Sequence, residues 1–152
     1  MIPAELPTAT FRRSPEDFVV DELPAYAPLG QGEHVYVTFR KVDLTTPEAV
    51  KRLARALGAD PRATGFAGMK DRHAITTQTA SFQLPLAKDP APILAEAKLE
   101  GIEILGVLRH NNKLKPGHLL GNRFRIVLRD LDPAHLARTL AGLEAIGQSG
   151  VP

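Results

Sequence analysis

His34-Val35-Tyr36-Val37-Thr38-Phe39 and Thr45-Thr46-Pro47-Glu48, eleven positions apart at their starts, set the architecture. The first run alternates and is rich in strand formers. The second is a helix start. Either threonine can cap, proline suits the first turn, and Glu48 completes a capping box with Thr45. Val50, Leu53, Ala54 and Leu57 then recur at helical spacing, and Gly58 stops the helix. Upstream, Phe18-Val19-Val20 predicts a short strand, and Leu23 to Gly32, with two prolines and two glycines, predicts a loop. Residues 1–16 are weakly patterned and predict loop or a short edge strand.

The same order recurs downstream. Thr64 to Met69 and Ile75 to Leu84 predict strands, and Asp89-Pro90 opens a helix through Leu99 that Gly101 closes. Ile102 to Leu108 predicts a strand. Phe124, Ile126 and Leu128 alternate with Arg123, Arg125 and Arg129 in a half-buried strand. Asp132-Pro133 caps a helix with Leu136, Leu140 and Leu143 that fades by Gly147. The element order is ββα-ββα-ββα. It predicts an α+β fold: a mixed or antiparallel sheet with helices on one face. Element order repeats; the sequence itself does not.

The length of 152 residues suits one domain that buries roughly 68–70% of its unfolded surface. There is no cysteine, which excludes disulfide scaffolds, zinc ribbons and thiol catalysis and suits a cytoplasmic location. Nineteen Lys and Arg against 17 Asp and Glu give a net charge of only +2, so any nucleic-acid signal must come from local clustering. Met1-Ile2-Pro3-Ala4-Glu5 has neither the cationic nor the apolar part of a signal peptide. No apolar run approaches the ~18 residues of a membrane span.

Two segments carry candidate chemistry. Arg109 to Arg129 holds Arg109, Lys113, Lys115, Arg123, Arg125 and Arg129, with His110 and His118 and no acidic residue. Such a strip attracts phosphates, and Phe124 within it offers a face on which a base can stack. A solvated strand face with Phe124 in the core gives the same pattern. The second segment is Gly65-Phe66-Ala67-Gly68-Met69-Lys70-Asp71-Arg72-His73-Ala74. Gly65 and Gly68 permit close backbone approach or positive φ. Lys70, Arg72 and His73 surround Asp71 with partners that favour an ionised carboxylate, fit to act as nucleophile or base. A charged hairpin is the bland alternative. Other chemistries fail on spacing. Gly65-x-x-Gly68 lacks the third glycine of a dinucleotide loop. His34, His73, His110, His118 and His135 have no metal-ligand spacing, so no metal is expected. The serines lie in no nucleophile-elbow context.

Taken together, Gly68-Met69-Lys70-Asp71-Arg72-His73-Ala74 with Thr77-Gln78, and Lys113-Leu114-x-x-Gly117 with Gly121-Asn122-Arg123-Phe124, resemble the two motifs of the TruD family of tRNA pseudouridine synthases. Asp17-Phe18-Val19-Val20-Asp21-Glu22 and Gly30-x-Gly32-Glu33-His34 resemble the start of those enzymes. The resemblance implies isomerisation of uridine to pseudouridine in tRNA, at position 13, with no cofactor and no metal. It implies Asp71 as the catalytic carboxylate, attacking C1′ or deprotonating C2′. Phe124 would stack on the target base and Asn122 would help hold the site. Lys70 or Arg72 would orient Asp71, and Lys113, Lys115 and Arg123 would contact the RNA. His73 is expected to be structural or RNA-facing. Family members continue well beyond the segment matching Gly147-x-x-Gly150-Val151-Pro152. Residues 1–152 are therefore expected to be the N-terminal part of the catalytic domain, without the insertion domain and the rest of the core. The missing C-terminal half of the same protein is the expected partner besides tRNA, and turnover by these residues alone is not implied. A non-catalytic RNA-binding α+β module is the alternative reading.

Overall fold

The computed structural model describes residues 8–150. Expectations for residues 1–7, Val151 and Pro152 lie outside them. The elements are β1 (Phe18–Pro24), β2 (His34–Val42), α1 (Thr46–Leu57), β3 (Gly65–Phe66), β4 (Ile75–Gln83), α2 (Pro90–Glu96), β5 (Ile102–His110), β6 (Leu119–Ile126) and α3 (Pro133–Ser149). The predicted ββα-ββα-ββα order is the observed one. The strands form one mixed sheet in the order β5-β2-β4-β1-β6. β1 and β4 are parallel, with Val19 opposite Ile75, and the other pairs along this path are antiparallel.

The opening stretch behaves as its pattern requires. Thr45 Oγ1 accepts from the Glu48 N–H (3.3 Å) and a Glu48 carboxylate oxygen accepts from the Thr45 N–H (3.1 Å), closing the capping box. Gly58, at φ 62°, ends the helix in the left-handed region. Ala49, Val50, Leu53, Ala54 and Leu57 pack on Val35, Val37 and Phe39 of β2 and Ala80 and Phe82 of β4. Leu94 of α2 joins the same core, so α1 and α2 cover one sheet face. Burying each such large side chain stabilises by about 1.5–3 kcal/mol.

Three expectations change. The strand predicted over 64–69 shrinks to Gly65–Phe66, because the Ala67 carbonyl accepts from the Gly117 N–H (2.8 Å) instead of continuing the ladder. The helix predicted through Leu99 ends at Glu96. Leu99 reaches the core from the turn that follows the helix, which satisfies the same apolar pattern. The half-buried strand at 123–129 is open: Phe124, Ile126 and Leu128 are all substantially exposed. Gly65 approaches another backbone closely, as predicted, since a Cβ there would lie 2.0 Å from the Leu114 carbonyl oxygen. Gly68 has no such crowding.

On the edge of β4 facing β1, residues Ile75 to Thr77 pair with β1 while Ala80 and Ser81 pair with β3. The two partners diverge, leaving a fork at Gln78 and Thr79. The Glu22 carboxylate fills it, accepting from the Thr79 N–H (3.2 Å).

Candidate active site

The β3–β4 connection crosses the sheet face that α1 covers, just beyond the helix. Its backbone is held at two successive residues. The Lys70 N–H donates to Thr46 Oγ1 (2.9 Å), at the start of α1, and that hydroxyl donates to Gln78 Oε1 (3.0 Å). The Asp71 carbonyl accepts from Lys41 Nζ (2.7 Å), which also donates to the Leu44 carbonyl (2.6 Å). Burial pushes the Lys41 ammonium down to about 8, against the opposing attraction of the nearby Asp71 charge. Ala74, fully buried with Phe18 and Val20, anchors the far end of the connection.

Between these anchors the Asp71 side chain remains 40% exposed, with Oδ1 accepting from Arg12 Nη2 at 2.9 Å. The Arg12 guanidinium also lies 3.8 Å from the centroid of the Phe18 ring. The Phe18 ring in turn is 6.0 Å from that of Phe124, at 59°. Asp71, Arg12, Phe18 and Phe124 are thus joined by consecutive contacts. Phe124 is 55% exposed, so it is not a core residue. Strand register puts it on the same sheet face as Val20 and Thr76. Asn122 lies two positions away on β6, opposite Glu22, and is exposed.

The two cations expected beside Asp71 separate. Lys70 Nζ turns inward to Glu22 Oε2 (2.7 Å), with both side chains almost wholly buried. Lys70 therefore anchors the loop to the fork, and Arg72 stays exposed. His73 Nδ1 is 2.8 Å from Asp43 Oδ1, away from the Asp71 carboxylate's contacts.

The basic strip also divides. The Arg109 guanidinium donates to the carbonyls of Gly32, Leu84, Pro85 and Lys88, tying the strand ends together. Arg129 makes two hydrogen bonds to Asp17, of 2.8 and 2.7 Å. Lys113 Nζ donates to the Arg62 carbonyl (3.2 Å). Lys115, Arg123 and Arg125 are exposed, and alternation along β6 turns Arg123 and Arg125 to the sheet face opposite Phe124.

Arg12, Glu22 and Lys41 were not singled out from the sequence. Arg12 is 59 residues from Asp71 in a segment without periodicity, so no spacing rule connects them. Glu22 carried a weak signal: a carboxylate inside an apolar strand calls for a buried partner. Among the described residues no group of three or more His, Asp or Glu is placed to hold a metal ion, and no helix is long and apolar enough to cross a membrane.

The backbone follows a crystal structure assigned to tRNA pseudouridine synthase D of Methanosarcina mazei, with a TM-score of 0.79 and 29% identity, over 95% of this chain and 33% of that one. The class is set by that likeness: the fold is that of a pseudouridine synthase. A family model described as tRNA pseudouridine synthase D (TruD) matches residues 7–152. The curated tRNA pseudouridine synthase D of Anaeromyxobacter sp. (strain Fw109-5) is 47% identical over 100% of this chain and 42% of its own length. That of Geobacter sulfurreducens is 48% identical over 98% of this chain and 36% of its own length. The chain belongs to the tRNA pseudouridine synthase D family. It spans about a third to two fifths of the length of these relatives.

Proposed function

We propose that this chain carries the catalytic aspartate of an enzyme that isomerises uridine to pseudouridine in tRNA. The carrying observation is the contact series Asp71–Arg12–Phe18–Phe124, with an accessible carboxylate at one end and an accessible aromatic ring at the other. In the reaction the bond from ribose C1′ to N1 of uracil breaks and a bond from C1′ to C5 forms. The proton leaving C5 is balanced by one gained at N1. Attack on C1′ and proton removal from C2′ both require an ionised, positioned carboxylate. Arg12 occupies Oδ1, and among the described residues Oδ2 accepts no hydrogen bond. Phe124 offers its ring to the target base and Asn122 a neighbouring amide, offsetting the few kcal/mol spent in unstacking that base. Lys113, Lys115, Arg72 and Arg123 supply phosphate contacts, and Lys70 acts through the position of the loop. Uridine 13 of tRNA is the target that the family likeness favours. A cysteine-free chain acting on tRNA suits the cytoplasm.

The same reading makes residues 1–152 the N-terminal part of a catalytic domain. The relatives are more than twice as long as this chain, and the apolar residues of β6 and α3 stand open to further chain. The test is tritium release from tRNA labelled at uracil C5, using the longest form that the reading frame encodes. Asp71→Asn is expected to lower release by at least roughly 10²–10⁴-fold, the range for loss of a positioned acid–base group. Unchanged release removes Asp71 from the chemistry. Salt-sensitive RNA binding with no release in any form supports the non-catalytic RNA-binding module instead.

A further inference from the structure

Thr38 and Thr79, which strand register puts on the sheet face opposite Phe124, help line a cavity of about 340 Å³, near the small end of the roughly 300–1,000 Å³ typical of ligand pockets. Its polar wall comprises Tyr26, Tyr36, His118, Thr38, Thr79 and Glu22, and prolines and aliphatic side chains complete it.

The hydrogen bonds there run in one direction. Tyr36 donates to the Asn112 carbonyl (3.0 Å), a group that can only accept. The Tyr36 oxygen therefore accepts from the Tyr26 hydroxyl (3.1 Å), and the Tyr26 oxygen accepts from His118 Nδ1 (3.0 Å). His118 Nδ1 therefore carries the proton that it donates to Tyr26. Tyr26 stacks on His110, with centroids 5.3 Å apart at 27°, yet remains 36% exposed. A pre-oriented ring beside a wall of mixed hydroxyl and imidazole groups suits a flat heterocycle. An adjoining recess shares Tyr26 and His118 and is lined by Lys113 and Lys115, cations placed for a phosphate. Arg123 and Arg125 lie on this same sheet face. One further feature ties the cavity to the catalytic loop. Glu22, in its wall, holds Lys70, the neighbour of Asp71.

We propose that this cavity is a second nucleotide site, which takes one unstacked base of the RNA against Tyr26 while Lys113 and Lys115 hold its phosphate. The assignment rests on RNA being the substrate. It adds a contact separate from the base on Phe124, on the other side of the sheet.

The experiment measures the affinity of a fluorescently labelled tRNA transcript by anisotropy, for the longest encoded form of the protein, together with thermal melting. Tyr26→Leu is expected to weaken binding about tenfold, within the range for loss of one base–aromatic stack. Tyr26→Phe, which keeps the ring and loses the hydroxyl, is expected to stay within about threefold of wild type. Lys115→Ala is expected to weaken binding and reduce the slope of log affinity against log salt by about 1. Wild-type affinity for Tyr26→Leu, with an unaltered melting curve, overturns the site. So does equal loss in the leucine and phenylalanine variants, which would mean that the hydroxyl network and not stacking is at work. A wild-type protein that does not bind the transcript overturns the RNA reading itself.

Discussion

α1 and α3 begin alike and end differently. Each has a side-chain cap and a proline in its first turn. α1 buries six residues; α3 buries none, and Leu136, Leu140, Leu143 and Ile146 are all 42–56% exposed. Capping and periodicity therefore specify that a helix forms, but not that anything covers it. The sheet divides in the same way. The part carrying β2 and β4 is sealed by α1 and α2, and β1 and β6 present Phe124 and its neighbours openly. Stability concentrates in the sealed part and the proposed chemistry in the open part.

The strongest challenge to that division is Leu53→Ala, expected to destabilise by about 2–5 kcal/mol in denaturant titration because Leu53 is fully buried. A loss below about 1 kcal/mol would show that the α1 core does not dominate. Thr45→Ala breaks the capping box of α1 and is expected to cost about 1 kcal/mol by the same measurement. A pH-confined effect belongs to the open part. The Arg129 hydrogen bonds hold the Asp17 carboxyl below the ordinary carboxylate range, despite the opposing cost of burial. A carboxyl depressed in the folded state contributes stability above its unfolded value, near 3.9, and loses it as pH falls through the folded value. Asp17→Asn is expected to flatten the acid limb of a melting series run from pH 6 to pH 2, and an unchanged limb would refute the coupling. The smallest effect expected is from Leu140→Ala, within about 0.5 kcal/mol when the 152 residues are measured alone. A larger loss would mean that α3 packs on the sheet in solution.

Much of this fold was legible because its signals are local. The Thr45–Glu48 box, Gly58 and the alternation in His34–Phe39 lie within a few residues of what they specify. The neighbourhood of Asp71 was legible only in part. Its carboxylate and the Phe124 ring sit in motifs that resemble a family, but Arg12, its ion-pair partner, sits in none. Lys70 and Arg72 look equivalent in sequence, and only the fork in the sheet distinguishes them, by offering Lys70 a buried carboxylate. The exposure of Ile126 and Leu128 was not legible, for the same reason as that of α3. Alternation shows which side chains share a face and says nothing of what lies over it.

The parallel pairing of β1 with β4 has a consequence for how such a site can be assembled. Two parallel strands begin at the same end of a sheet. Arg12 lies six residues before Phe18, the first residue of β1, and Asp71 four residues before Ile75, the first of β4. Each therefore arrives on an entry segment at one shared rim, and the ladder at Val19 and Ile75 sets their spacing. Reversing β1 would carry Arg12 to the far rim, however well every individual side chain were kept. The arginine–aspartate pair is in this sense a property of strand polarity, and a designer wishing to transplant it would have to move two strand entries together.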